Sequence, residues 1–542
     1  MPITQIENLM EESPPIHDIT QDTPSTDAVK PYLRGLNLYY AAISAILGAG
    51  VLFMHVGIAD GGICAWIMAV LLCGISGTVV SARTYRMAID MLRATGKEEG
   101  YQLLPVTANF LRIPTDETDP ERQHVKKYAT TQVEAAPHNA SPNPPRPSLT
   151  FGSLVLDEHK AVRICLNLAI VSLSAGSLIV YLGLMYQWVW DIVDVLRAHT
   201  PFGVFPSLTK WGSFGGLVLV CMYLAYLPTP GDNKIITTIS AISLMLLTIM
   251  VLAMLLIVRY SSSFAITKCI TFSSEAWKGM VVGRHFSFLK FTGAVATIFF
   301  AINSQQNMPV YFSLAKPKSK KAFFKIFSIA MMVASSLFLV VGVCGYFITF
   351  ASSSNYNLKL DNILTNIGTI LEHVRPLLTS ALFKTFLLLT TGIKVLMIPV
   401  LLSAFMWQCA AAKNVLINVF SGYFKNYKAK SIFRKAIGPA LAALALIPVF
   451  LNVDLGFIIR VLGSGSGAYI ILFIPAWIVL RGTHSKDGES TWLHYMGAAF
   501  MGLGFLVLIA YTVIDSTPLR RIFETPLPAT PKQLPICFPD FD

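Results

Sequence analysis

Two stretches of this chain set hydrogen-bonding groups inside long apolar runs. The first is Ser44-Ala45-Ile46-Leu47-Gly48-Ala49-Gly50-Val51-Leu52. Two glycines flanking an alanine weaken a helix there, each by about 1 kcal/mol relative to Ala. The second is Ala301-Ile302-Asn303-Ser304-Gln305-Gln306-Asn307-Met308-Pro309. Five consecutive polar side chains, closely followed by a proline, are expensive in a helix facing lipid and make sense facing a cavity. A helix interrupted at such a point creates a half-helix N-terminus, whose free N–H groups and positive dipole end can hold a carboxylate. It also frees carbonyls upstream, which can hold an ammonium group or a cation. A small zwitterion suits both ends at once. Each stretch also has a plainer reading. Gly-x-Gly is common where membrane helices pack closely, and a polar run can end a helix at an interface. Together, the pair favours a site built on two broken helices.

Three ionisable residues stand in similar surroundings. Lys394 lies inside an apolar run with Thr390 and Thr391 one turn away on the same helical face. A charge at mid-membrane costs about 3 kcal/mol or more and is functional by default. Its ammonium can take the place of a bound cation, and desolvation makes it a candidate proton carrier. The alternative is a lysine that snorkels to the nearer interface. Histidine ordinarily titrates near neutrality, so His55 is a further proton-site candidate, or a hydrogen-bonded helix residue. Arg460 is an interfacial anchor or gate residue before it is a ligand.

The elements that must carry these groups are legible from composition. Of 542 residues, 54% are apolar and 13% charged, about half the charge of an average soluble protein. The apolar residues fall in uncharged blocks of membrane-spanning length. Eleven spans are expected, at about 37–56, 63–82, 164–190, 211–231, 235–258, 291–315, 326–351, 385–412, 436–453, 455–480 and 496–514. Each should be helical, because backbone groups find no water partner in hydrocarbon. The two interrupted spans are the first and the sixth. Equivalent breaks in two halves of a chain point to an inverted repeat, here spans 1–5 and 6–10 with span 11 added.

Basic residues orient the chain. Lys316, Lys318, Lys320 and Lys321 crowd one short loop, and Lys425, Lys428, Lys430, Arg434 and Lys435 another. Both face the cytoplasm if the N-terminus does. The loop at 259–290 dissents, with five basic residues on the other side. Residues 1–36 read as a disordered cytoplasmic tail without a secretory-signal layout. Residues 97–160 read as a low-complexity cytoplasmic insertion, and 516–542 as a short tail. The transmembrane domain comprises 37–96 and 161–515. Asn139-Ala140-Ser141 matches a glycosylation acceptor, but it falls in that cytoplasmic insertion with Pro142 next. The net charge of +12 fits the loop bias, and no basic stripe with stacking aromatics points to nucleic acid. No two of the eight cysteines have metal-ligand spacing; Cys269 and Cys537 fall in outer segments and can pair. No metal, cofactor or nucleophile–base set is expected, which argues against an enzyme.

At these residues the sequence resembles the amino acid/auxin permease family, which includes sodium-coupled neutral amino acid transporters and vacuolar amino acid transporters. "AILGAGVLFMHVGIADGG" at 45–62 is similar to the family's first helix, and "FFAINSQQNMPVYFSLAKPKSKK" at 299–321 to its sixth. "GYFITF" at 345–350, "VLMIPVLLSAFM" at 395–406 and "VDLGFIIRVLGSGSGAYIILFIPAWIVL" at 453–480 resemble the seventh, eighth and tenth. The resemblance spans most of 35–515. It implies an all-α membrane protein of LeuT type, a 5+5 inverted repeat plus one helix, transporting amino acids by alternating access.

By position, the resemblance implies that substrate lies against Ser44, Ile46, Leu47, Gly48, Ala49, Gly50 and Val51 of span one. From span six it would meet Ala301, Ile302, Asn303, Ser304, Gln305 and Gln306. The carboxylate falls to N–H groups near Ala49, Gly50 and Val51, and the amino group to carbonyls near Ile46 and Ala301. Departures point away from sodium coupling and leave a proton or no ion. Ser44 stands near where sodium-coupled members have Asn, and Val395 and Met397 where they have Thr. Gln305 and Gln306 replace acidic or His residues, and His55 replaces a proline. The expected partners are an amino acid, a coupling H+ and the lipid bilayer of a plasma or vacuolar/lysosomal membrane. An amino acid sensor of the same fold, with little net transport, is the alternative; a channel would need a filter or charged ring that is not visible.

Overall fold

The computed structural model describes residues 35–46, 48–94, 160–199, 206–227, 234–260, 274–283, 287–315, 322–349, 362–375, 380–420, 427–482 and 492–515. The expected tails except Gly35 and Leu36, which open the first helix, nearly all of the 97–160 insertion, Leu47, Cys269 and Cys537 lie outside them.

The expected all-α architecture is present. Span one is split into α1 (Gly35–Ile46), a 3-10 turn (Ala49–Phe53) and the start of α2 (Met54–Ala94). Then follow α3 (Lys160–His199), α4 (Pro206–Tyr226), α5 (Lys234–Tyr260) and a short α6 (Ser274–Val282). Span six is split into α7 (Phe288–Ile302), a 3-10 turn (Gln305–Asn307) and α8 (Met308–Leu314). Next come α9 (Phe323–Thr349), a short α10 (Ile363–Val374), α11 (Ser380–Phe420) and α12 (Tyr427–Phe450). Span ten comprises α13 (Leu455–Leu462), two π-helical segments (Gly463–Gly467 and Tyr469–Phe473) and α14 (Ile474–Gly482); α15 (Trp492–Asp515) closes the series.

Eight helices among the described residues are long and apolar enough to cross a membrane, against eleven expected spans. Local features account for the difference. Span six is cut in two. Spans one and two share α2, which runs on through a sharp kink at Gly62. Span four is α4, whose first turns are the polar Pro206–Ser213. Apolar side chains coat the outside of these helices: Leu71, Leu168, Leu219, Ile249, Leu388 and Leu503 are each more than half exposed. A surface of this kind belongs against lipid, since soluble monomers rarely expose contiguous apolar patches of such extent.

Sequence explains the joints. Gly62 has φ 67° and ψ −172°, a region open essentially to glycine. A Cβ there would also stand 2.3 Å from the Val281 carbonyl oxygen at the end of α6. Gly283, at φ 99°, reciprocates: its Cβ would stand 2.5 Å from the Asp60 oxygen. The α2 kink and the α6 terminus are thereby locked together. Asn452, at φ 52°, turns the chain between α12 and α13, and the Asp454 carboxylate caps α13 by accepting from Gly456 and Phe457 N–H at 2.8 and 3.3 Å.

The core lies where the two broken helices meet. α7 runs along α2 and the first π segment, α9 along α1 and α2, and α11 along α3 and α5. Leu38, Ala42, Ile43 and Ile46 of α1 are buried, as are Ile363, Leu364 and Ile367 of α10.

Candidate functional site

The first break begins where α1 ends at Ile46. Gly48, extended at φ −88° and ψ −157°, returns one N–H to the Ile46 oxygen at 3.1 Å before the 3-10 turn starts at Ala49. The last carbonyls of a helix and the first N–H groups of the next lack intrahelical partners, so peptide groups of both signs converge here. Ser44 belongs to the last turns of α1, and Ala49, Gly50 and Val51 open the 3-10 turn.

Both readings of the Gly-x-Gly sequence hold at once. The helix is broken, and its glycines are also close contacts. A Cβ on Gly50 would lie 2.2 Å from Ala301 Cα and 2.4 Å from Ala301 Cβ. A Cβ on Gly48 would lie 2.5 Å from the hydroxyl of Tyr181, a buried residue of α3. The glycines let span six and Tyr181 close on bare backbone.

The second break begins at Asn303, where φ −74° and ψ 107° end α7, and continues through Ser304 at φ −133° and ψ 0°. Asn303 through Asn307 are all buried. Pro309 sits in the first turn of α8, where a missing N–H costs nothing. Three of the five polar side chains reach different neighbours. Gln305 is spent on structure: its Oε1 accepts from Ser304 N–H at 3.1 Å and its Nε2 donates to the Cys73 oxygen of α2 at 3.4 Å. The Ser304 hydroxyl reaches Met331 Sδ of α9 at 3.8 Å. Gln306 Nε2 donates to Gln408 Oε1 of α11 at 2.5 Å, and Ser174 of α3 donates to the same oxygen at 3.4 Å. Beside them the Tyr311 and Trp407 rings meet edge-on, 4.6 Å between centroids. Asn303 differs from all these: both Nδ2 and Oδ1 are buried with no partner among the described residues. Its Nδ2 would be 3.7 Å from a Cβ on Gly467.

That glycine belongs to a third irregular helix. Sequence reading took span ten as continuous, although Gly463-Ser464-Gly465-Ser466-Gly467 stands within it. The segment is π-helical, a form that recurs at functional sites. Gly463 presses on α7, since its Cβ would fall 1.9 Å from the Ala296 oxygen. The Ser464 hydroxyl donates to the Arg460 oxygen at 2.7 Å and accepts from Thr512 of α15 at 2.6 Å. Arg460 itself is buried in α13.

The ion-coupling candidates sit toward the His199 end of α3. Lys394 Nζ donates to Asp191 Oδ2 of α3 at 2.5 Å. The lysine side chain is 9% exposed and the aspartate 47%. From Tyr181, level with the first break, to Asp191 is roughly 15 Å along α3. The Thr390 and Thr391 hydroxyls are turned onto their own helix, donating to the Phe386 and Leu387 oxygens at 2.9 and 2.8 Å. His55 Nε2 lies 3.0 Å from Asn366 Nδ2 of α10, the amide donating and the ring nitrogen accepting. Asn362, at the head of α10, donates to Gln187 Oε1 of α3 at 3.4 Å. α10 is therefore fastened to α2 and to α3 by neutral hydrogen bonds.

Sequence reasoning did not single out Tyr181, Ser174, Gln408, Asn366, Asp191 or the π segment. Gln408 and Asp191 carried a usable signal, being polar residues in or at the edge of apolar spans. Tyr181 and Ser174 carried none. No group of three or more His, Cys, Asp or Glu able to hold a metal occurs among the described residues.

No protein-family profile matches the chain, and no curated protein matches it in sequence. Among solved structures, that of MhsT in complex with L-phenylalanine is similar at 13% sequence identity and a TM-score of 0.49, over 90% of this chain and 100% of that one.

Proposed function

We propose that this protein is a secondary transporter that moves amino acids, or similar small zwitterions, across a membrane by alternating access. The observation that carries this reading is the meeting of two interrupted helices at Gly50 and Ala301, with the unpartnered Asn303 amide beside them. Peptide groups freed at mid-helix offer donors and acceptors in one small volume, which is what a zwitterion requires. The solute's carboxylate would sit on the N–H groups of Ala49, Gly50 and Val51, and its ammonium on carbonyls near Ile46 and Ala301.

In this reading the N-terminus is cytoplasmic and α10 covers the outer side. The Gln306–Gln408–Ser174 bonds and the Tyr311–Trp407 pair close the inner side. Alternating access then consists of opening one set of contacts while the other holds. Coupling is to a proton or to no ion, with His55, Lys394, Thr390 and Thr391 as the residues to test.

Counterflow in proteoliposomes tests the function. A carrier preloaded with unlabelled amino acid draws in the labelled form transiently and saturably, and imposed pH and sodium gradients show which ion drives net uptake. Amino acid binding without counterflow would favour a sensor. Leakage without saturation would favour a pore.

A further inference from the structure

The transporter reading leaves open what the solute's side chain meets. We infer that Asn303 reads that side chain, and that the favoured one presents a hydrogen-bond donor and an acceptor together, as a carboxamide does. The inference rests on the transporter reading and deepens it.

Asn303 stands where α7 ends, two residues beyond the Gly50–Ala301 contact. It is 3% exposed, and neither of its polar side-chain atoms has a partner among the described residues. Of the neighbouring amides, Gln305 bonds Ser304 and Cys73 with both its atoms, and Gln306 donates to Gln408 while its Oε1, like Asn307 Nδ2, is unpartnered among the described residues; Asn303 has both donor and acceptor open. Gly467 presents backbone in place of a side chain to the Asn303 amide, its Cβ position 3.7 Å from Nδ2. If the solute's charged ends are taken by the span-one peptide groups, the Asn303 donor and acceptor remain for its side chain.

Buried polar groups left unpaired are costly, so the site selects by what it would otherwise leave unsatisfied. An aliphatic side chain answers neither atom. An ammonium answers only Oδ1 and a carboxylate only Nδ2, and each brings a net charge among the neutral groups Ser174, Tyr181, Ser304, Gln306 and Gln408. A carboxamide answers both with paired bonds.

Isosteric pairs of amino acids test this in the reconstituted full chain. Asparagine against leucine, and glutamine against methionine, differ in polarity far more than in shape. In competition for counterflow, the amide member of each pair should win by ~10-fold or more. Asparagine and glutamine should also exceed aspartate, glutamate and lysine. Asn303→Leu, which keeps the shape, should bring the asparagine-to-leucine ratio near one or below, and Asn303→Ser should fall between. If Asn303→Leu does not fold, the serine variant and the wild-type ranking carry the decision. A wild-type preference for the apolar or charged members overturns the inference, as does an unchanged ratio in the variants, while saturable counterflow leaves the transporter reading standing. Absence of counterflow with every amino acid overturns both.

Discussion

The glycines of the first break provide a paired test, because the obstacle facing each is of a different kind. At Gly48 an added methyl meets the Tyr181 hydroxyl at 2.5 Å, while the next nearest atoms, Tyr181 Cζ and Cε1, are at 3.2 and 3.3 Å. At Gly50 the methyl meets Ala301 Cα at 2.2 Å and Cβ at 2.4 Å. Ordinary contact between carbon atoms begins near ~3.5 Å. Gly48→Ala therefore needs the tip of one side chain to yield by about 1 Å, whereas Gly50→Ala needs two backbones to part by slightly more. Overpacking a close contact typically costs ~1–3 kcal/mol, occasionally more. Gly48→Ala belongs near the low end and Gly50→Ala at or above the high end. Three kcal/mol corresponds to roughly a hundredfold change in an equilibrium.

The decisive readout is rescue. Tyr181→Phe removes the atom at 2.5 Å, so Gly48→Ala with Tyr181→Phe should regain most of the stability lost by Gly48→Ala. Ala301→Gly removes the atom at 2.4 Å but leaves Cα at 2.2 Å, so it should not rescue Gly50→Ala. Gly74→Ala is the control, with nothing among the described residues within 4 Å of its Cβ position; it should be neutral or gain up to ~1 kcal/mol of helix propensity. The half-life of monodisperse protein in detergent at a fixed temperature measures stability, since unfolding of such proteins is often irreversible. Counterflow measures function. Wild-type half-life and counterflow in Gly50→Ala would refute the contact between the two breaks. Rescue of Gly50→Ala by Ala301→Gly would refute the backbone origin of the clash.

Other outcomes follow from single contacts. Gln306→Leu and Gln408→Leu should each destabilise the closed inner side by ~1–2 kcal/mol. A double-mutant cycle should show coupling of about 1 kcal/mol, read as faster labelling of an introduced inner cysteine. Asp191→Asn strands the buried Lys394 ammonium and should shorten the thermal half-life, whereas Asp191→Asn with Lys394→Met should recover much of it. With the aspartate half exposed, the effect is about 1 kcal/mol, well below that of a fully buried pair. Gly62→Ala should cost ~2 kcal/mol or more through both its φ of 67° and the Val281 oxygen 2.3 Å from the new Cβ. The half-life in detergent checks the last two.

Much of this protein was legible before any coordinates. Long uncharged apolar runs dictate membrane-length helices, because peptide groups in hydrocarbon must bond to one another within a segment. Gly48-Ala49-Gly50 and Asn303 through Asn307 marked the places where that rule is broken, by occurring as a pair at equivalent spans where either alone has a plainer reading. What the sequence left undecided is how each break is used. Gly50 is both an interruption and a contact, and only the position of Ala301 shows it. Gln305, Gln306 and Asn303 are equivalent as letters, yet the first braces α2, the second bonds α11, and the third keeps its amide unpaired. Tyr181 against Gly48, Gln408 against Gln306, and Asp191 against Lys394 are long-range pairs between helices. Periodicity and composition record the environment of a residue along its own helix. The partner across the bundle depends on rotations and depths that only the packed whole determines.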